Sequence, residues 1–183
     1  MALPAHYPAF YKKYLKFAVV MTFVAMLSGI LFQESAKKAP YSAALPAGIH
    51  LDSVIHLALL HGHVFLIGVL IPVAILGMLQ LSYVLDGEPV SSKTLKWGTW
   101  LYIPGAVLTV VLMLYKGYHF LMAVRMGQLD FQSIEQSYFF GIVGLRHALY
   151  ALSHIATAFG LGTLVVGVWK SLPKTPAFSE SKA

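Results

Sequence analysis

Residues Ile55 to Gly68 read IHLALLHGHVFLIG, an apolar run that nevertheless holds His56, His61 and His63. The run is long and hydrophobic enough to be a membrane-buried helix, and burying an imidazole in hydrocarbon without a partner costs about 2–7 kcal/mol. Each of these rings must therefore be hydrogen-bonded, line a wet cavity, or bind a metal. The remainder of the chain decides among the three.

The chain has 183 residues, of which 58% are hydrophobic and 11% charged. Its mean hydropathy is +0.72. That composition lies outside the soluble globular range and predicts an all-α membrane protein. Four apolar stretches, about 15–32, 54–85, 97–124 and 138–169, approach or exceed the ~20 residues needed to cross a ~30 Å hydrocarbon core. They fill the chain, so a single domain built as a four-helix transmembrane bundle is expected. The first stretch is slightly long for a signal peptide, and an uncleaved first helix is expected.

Lysine and arginine set the orientation. Lys12, Lys13, Lys16, Lys93, Lys96, Lys170, Lys174 and Lys182 flank the helices on one side, whereas the other side has Lys37, Lys38 and Arg125. The positive-inside rule then places both termini in the cytoplasm. Trp97, Trp100 and Trp169 fall at the same cytoplasmic ends, where an aromatic belt belongs. The net charge of +6 is carried at helix ends, which suits lipid contact and not nucleic acid.

Local signals divide the chain further. Ser35 to Asp52 is an outer loop with Pro40, Pro46 and Gly48, and Asp52-Ser53 is an expected N-cap for the second helix. Asp86-Gly87-Glu88-Pro89 is an inner turn, and Gly127 to Gln136 a second outer loop. Pro72 and Pro104 predict kinks, and Gly141, Gly144, Gly160, Gly162 and Gly167 predict close helix approach in the fourth span.

Cysteine is absent, which excludes disulfides, thiolate metal sites and covalent haem attachment through C-x-x-C-H. Counting ~1.5 Å per residue outward from Tyr83, Trp100 and Trp169 puts His61, His63, His119 and His147 about 30 Å from the inner belt. Lys116 and Arg146 lie within a turn of that level, His56 is higher, and His154 is about two turns deeper. His61 and His63 are about 200° apart on a helix and cannot face one point. One imidazole from the second helix and one from the fourth form an economical metal site, with His63 and His147 the expected pair and His61, His154 and His56 the alternatives.

Haem b held by two imidazoles is the expected cofactor, because Lys116, Arg146 and His119 stand where propionates would need cations. Copper on the same histidines is the alternative. A polar network or purely structural hydrogen bonding are the remaining roles for the rings. Met21, Met26, Met78, Met113 and Met122 form no tight cluster with the histidines and are expected to pack. The spacings His56 to His63 and His147 to His154 are equal; if that marks a parallel repeat, His63 pairs with His154 instead.

The segments LALLHGHVFLIG at 57–68, GAVLTVVLMLYKG at 105–117 and GIVGLRH at 141–147 resemble a small bacterial family of four-helix integral membrane proteins of unknown function. The resemblance implies that His61, His63, Lys116 and His147 belong to the family pattern. His61-Gly62-His63 is similar, more distantly, to the haem-bearing helix of haem-copper oxidase subunit I, which points to haem and not to turnover. No nucleophile elbow, phosphate loop or close carboxylate pair is present, so no catalytic residue is expected. The expected function is electron transfer or diatomic gas sensing at the periplasmic face. The alternative is copper handling or oxidase assembly. Expected partners are lipid, a respiratory oxidase or a quinone or cytochrome, and a second copy of the chain.

Overall fold

A computed structural model describes residues 3–38 and 49–172. Its elements are α1 (Tyr7–Lys38), α2 (Ile49–Phe65), a π turn (Leu66–Leu70), α3 (Ile71–Val84), α4 (Ser92–Arg125), α5 (Phe131–Ser137), a tight turn (Tyr138–Gly141) and α6 (Val143–Ser171). Four helical segments are long and apolar enough to cross a membrane: Tyr7–Lys37, Ser53–Val84, Ser92–Arg125 and Val143–Ser171. The protein is an all-α four-helix bundle, and no strand occurs among the described residues.

Several boundaries move. α1 begins at Tyr7 and not near residue 15 because its polar first turns are tied down: Tyr7 Oη accepts from the Val90 backbone N–H at 2.9 Å, and His6 Nε2 donates to Val90 O at 2.7 Å. Asp52 and Ser53 are not a cap, since α2 already starts at Ile49. The interior of the outer loop, including Pro40 and Pro46, lies outside the described residues, as do Lys174 and Lys182. The segment 127–136, read from sequence as a second outer loop, contains α5, whose N-cap Asp130 accepts from Ser133 Oγ at 2.6 Å and from Gln132 N at 3.0 Å. Those bonds favour the charged carboxylate and hold the Asp130 pKa below its ordinary value.

Helix four starts at Val143 and not at 138, because Phe139 (φ 56°), Phe140 (φ 57°) and Gly141 (φ 75°) turn left-handed. Two non-glycine residues there cost roughly 1–2 kcal/mol each. Burial of Tyr138 and Phe139 against α4 offsets that cost, with Phe139 edge-on to Tyr115 at 5.1 Å between ring centroids.

The bundle is built around α4. Its most extensive partner is α6, and α2 packs on its other side, with α1 outside α2. Small residues set the α4–α6 approach: a Cβ on Gly105 would stand 2.6 Å from Thr157 N, and one on Gly160 would collide with the Tyr102 backbone. Gly144 and Gly162 face open space, so the glycine-rich fourth span uses only part of its set at the contact. At the end carrying the first turns of α1, α3 closes on α6 through a 2.7 Å bond between Ser82 Oγ and Ser171 Oγ.

Pro72 acts through the π turn. Ile71 N–H reaches back to Leu66 O, and Pro72 has no N–H to offer the next carbonyl, Ile67 O. Tyr102 Oη donates to that carbonyl at 2.6 Å. The helix thus stays continuous from Ile49 to Val84, and the proline is absorbed by a single tyrosine on α4. Pro104 likewise lies inside an unbroken α4.

Candidate functional site

Toward the opposite end α2 and α6 both lie on α4, and between them is a cavity of about 340 Å³. Its walls are His56, Leu59 and His63 from α2, Thr109, Met113 and Lys116 from α4, and Tyr150 and His154 from α6. Three of the histidines singled out by sequence therefore share one slot with a cation and a phenol.

The two imidazoles on opposite walls are held alike. His63 Nδ1 lies 2.9 Å from Leu59 O, and His154 Nδ1 lies 2.7 Å from Tyr150 O, each the carbonyl one turn back in its own helix. A carbonyl only accepts, so Nδ1 carries a proton in both rings, and the neutral form of each keeps its lone pair on Nε2. Metal-bound histidines are oriented by the same kind of bond. His154 is steadied further by Ser153 Oγ at 3.2 Å from Nδ1. His56 lies higher in the slot, edge-on to Phe120 with ring centroids 4.9 Å apart.

The other expected site residues are placed elsewhere. The rotation of α2 turns His61 toward α1, where Nδ1 donates to Ala25 O at 2.8 Å and the ring fills the gap over Gly29. His119 Nε2 donates to Ile134 O at 3.1 Å, with Ser137 Oγ also at 3.1 Å, so it fastens α5 to α4. His147 lies near the start of α6 and does not line the slot, although it is no more exposed than His63 and His154, which do. The depth count that matched His63 with His147 treats the helices as parallel rods. The slot instead brings His63 together with the next imidazole of the α6 stripe, His154, about 10 Å along the helix from His147.

Lys116 and Arg146 do approach each other, but through a carboxylate that sequence did not suggest. Glu135 of α5 lies 3.6 Å from Lys116 Nζ and 3.6 Å from Arg146 Nη1, and Arg146 Nη1 also donates to Glu135 O at 3.0 Å. Two cations and one carboxylate leave the outer rim of the slot with a net positive charge. Lys116 is the member that faces the cavity, and it also lies 5.6 Å from the Phe120 ring centroid.

Two tyrosines join this rim to the slot. Tyr138 Oη donates to Leu112 O at 3.0 Å and lies 3.1 Å from Tyr150 Oη, the phenol in the cavity wall. Burial first, then the bond to Tyr150, pushes the Tyr138 phenol well above its ordinary pKa, so it stays a neutral donor. Glu135 and Tyr138 had no sequence signal strong enough to find them, because each acts from a segment read as loop or as plain apolar span.

Fold and site together define an integral membrane protein with a histidine-lined slot between three helices. Residues 11–168 match the family described as "Protein of unknown function (DUF2871)", and the chain belongs to that family. No curated protein and no solved structure matches. The likeness of His61-Gly62-His63 to haem-copper oxidase subunit I gains no support from these comparisons.

Proposed function

We propose that the protein is a haem b-binding protein of the bacterial inner membrane that passes electrons near the periplasmic face, with His63 and His154 as axial ligands. What carries this reading is the pair of free Nε2 atoms on opposite walls of one slot. Each Nδ1 is already committed to a backbone carbonyl, and neither Nε2 has a protein partner among the described residues. Left to hydrocarbon, such atoms are costly.

The residues present fit the group in three respects. Among the described residues no three His, Asp or Glu side chains are grouped to hold a bare ion. Two opposed imidazoles are enough for an iron whose other four ligands come from the macrocycle, and this favours haem over copper. Lys116 stands at the rim where a propionate would need a cation, and the 340 Å³ cavity falls at the lower end of the range for cofactor sites. When bound, the haem supplies a one-electron couple. The chain's own residues orient the two rings, line the slot with the apolar Leu59 and Met113, and set the local charge through Lys116 and Glu135. A haem held by both His63 and His154 would have no site left for a gas, so electron transfer is preferred to gas sensing.

Both termini are assigned to the cytoplasm, supported by the basic flanks and by an even number of spans. A quinone, a cytochrome or a respiratory oxidase is the partner class, and a second copy of the chain could complete the open side of the slot.

The test is a spectrum. Protein purified in detergent from haem-replete cells should show a Soret band and a reducible α band. His63→Ala and His154→Ala should each lose the low-spin signature, whereas His61→Ala and His147→Ala should keep it. A colourless preparation holding stoichiometric copper would replace haem by copper. A low-spin spectrum surviving in His154→Ala would show the pairing to be wrong.

A further inference from the structure

At the other end of the bundle a second cavity, of about 210 Å³, opens between the first turns of α1 and α4. It is lined by His6, Ala9, Phe10 and Lys13 from the first helix and its lead, and by Ser92, Leu95, Lys96, Thr99 and Trp100 from the other. No acidic residue contributes to the lining. We propose that this crevice binds the phosphate of an anionic phospholipid headgroup. The proposal is independent of the haem reading and concerns different residues.

Charge comes first. Among the described residues neither Lys13 nor Lys96 makes an ion pair. Lys13 lies 6.0 Å from the centroid of the Trp100 ring, which holds its ammonium at the crevice in place of the surrounding solvent. His6 is engaged with Val90 O and fixes the wall, leaving the two lysines as the free cations. Thr99, itself buried at 4% exposure, donates to its own helix at Leu95 O and forms part of the crevice wall. A water takes about 30 Å³ of liquid, so the crevice has room for several waters or one tetrahedral anion.

The same surroundings select lipid as the source of that anion. The crevice lies at the end of two spanning helices, beside Trp97 and Trp100, both exposed as residues of a headgroup-level belt are. Its apolar walls, Ala9, Phe10 and Leu95, continue along the same stripe of α1 into the exposed Val20 and Leu27, seven and fourteen positions beyond Lys13. An acyl chain can lie along that surface while the phosphate stays between the lysines. Basic pockets between transmembrane helices hold anionic headgroups in this way.

The experiment measures saturable stabilisation of the full chain in mild detergent. Phosphatidylglycerol is titrated against phosphatidylcholine, the unfolding midpoint is followed, and bound lipids are counted by native mass spectrometry. Wild type should respond to phosphatidylglycerol and not to phosphatidylcholine. Lys13→Gln with Lys96→Gln should weaken the apparent affinity about thirtyfold, roughly fivefold for each lysine near the surface. Lys12→Gln with Lys16→Gln removes the same charge from another face of α1 and should leave the affinity within threefold. If the first double variant does not fold, the two single variants carry the test at about fivefold each. An equal loss in both double variants would overturn the proposal by showing a diffuse charge effect. Full stabilisation by millimolar inorganic phosphate would overturn the lipid source, and an undiminished response in Lys13→Gln/Lys96→Gln would place the site elsewhere.

Discussion

Tyr102→Phe removes one oxygen atom and leaves the ring, which is fully buried, stacked on Tyr14 and packed against Gly160, in place. The lost hydroxyl is a donor to Ile67 O, a carbonyl that Pro72 cannot serve because it has no N–H. Leaving such an acceptor unsatisfied inside the membrane should cost about 1–3 kcal/mol. Pro72→Ala supplies the control, since alanine restores the missing N–H and lets the π turn satisfy its own carbonyl. In that background Tyr102→Phe should cost less by on the order of 1 kcal/mol, the signature of a shared group in a double-mutant cycle. Reversible unfolding in mixed micelles of detergent and denaturing surfactant reads all four corners. Equal cost of Tyr102→Phe in both backgrounds, or a cost below about 0.5 kcal/mol in the first, would refute the link between the proline and the tyrosine.

Gly160→Ala places a methyl group against the Tyr102 backbone and should destabilise the bundle by about 1–3 kcal/mol, whereas Gly162→Ala faces open space and should be close to neutral by the same unfolding assay. Asp130 is held below its ordinary pKa of 3.8, so its stabilisation of α5 is fully present above that pH and is lost as the pH falls through the lower folded value. Amide protection of Ile134, corrected for intrinsic exchange, should therefore drop in acid for wild type and be low at every pH in Asp130→Ala. With haem bound, Glu135→Gln should raise the midpoint potential and Lys116→Gln lower it, each by an energy on the order of 1 kcal/mol, because positive charge favours the reduced iron. Redox titration gives both signs. Reporter fusions near residues 43 and 183 should fall on opposite sides of the membrane.

The bundle was legible because hydrophobic length is a strong signal and the membrane leaves few alternatives to a helix. Boundaries were less so, for reasons that differ from place to place. Tyr7 to Tyr14 reads as a polar and aromatic lead, yet it is helix because His6 and Tyr7 bind the backbone of Val90, a residue more than eighty positions away. Nothing local announces that contact. Phe139 and Phe140 sit within an apolar run that propensity makes helical. Their left-handed turn is imposed by the need to bury Tyr138 between α4 and α6, and that need appears only once both helices are placed.

The site shows the same division. Sequence found the imidazoles and the cations, because polar rings and charges stand out against hydrocarbon, and it found that His61 and His63 must face apart. It could not say which faced inward. That choice depends on the rotation of α2, and Gly29 accommodates the one observed: it leaves room for the His61 ring to reach Ala25 O on α1 while His63 lines the slot. A side chain at position 29 would meet Nδ1 of that ring at 3.0 Å, so Gly29→Ala presses directly on the rotation. The choice between His147 and His154 lies further from sequence still, since both belong to one stripe of α6 and differ by two turns. Which of them lines the slot is a property of how α6 seats on α4, and that seating is written jointly in Gly105, Gly160 and the residues they admit, not in the histidines themselves.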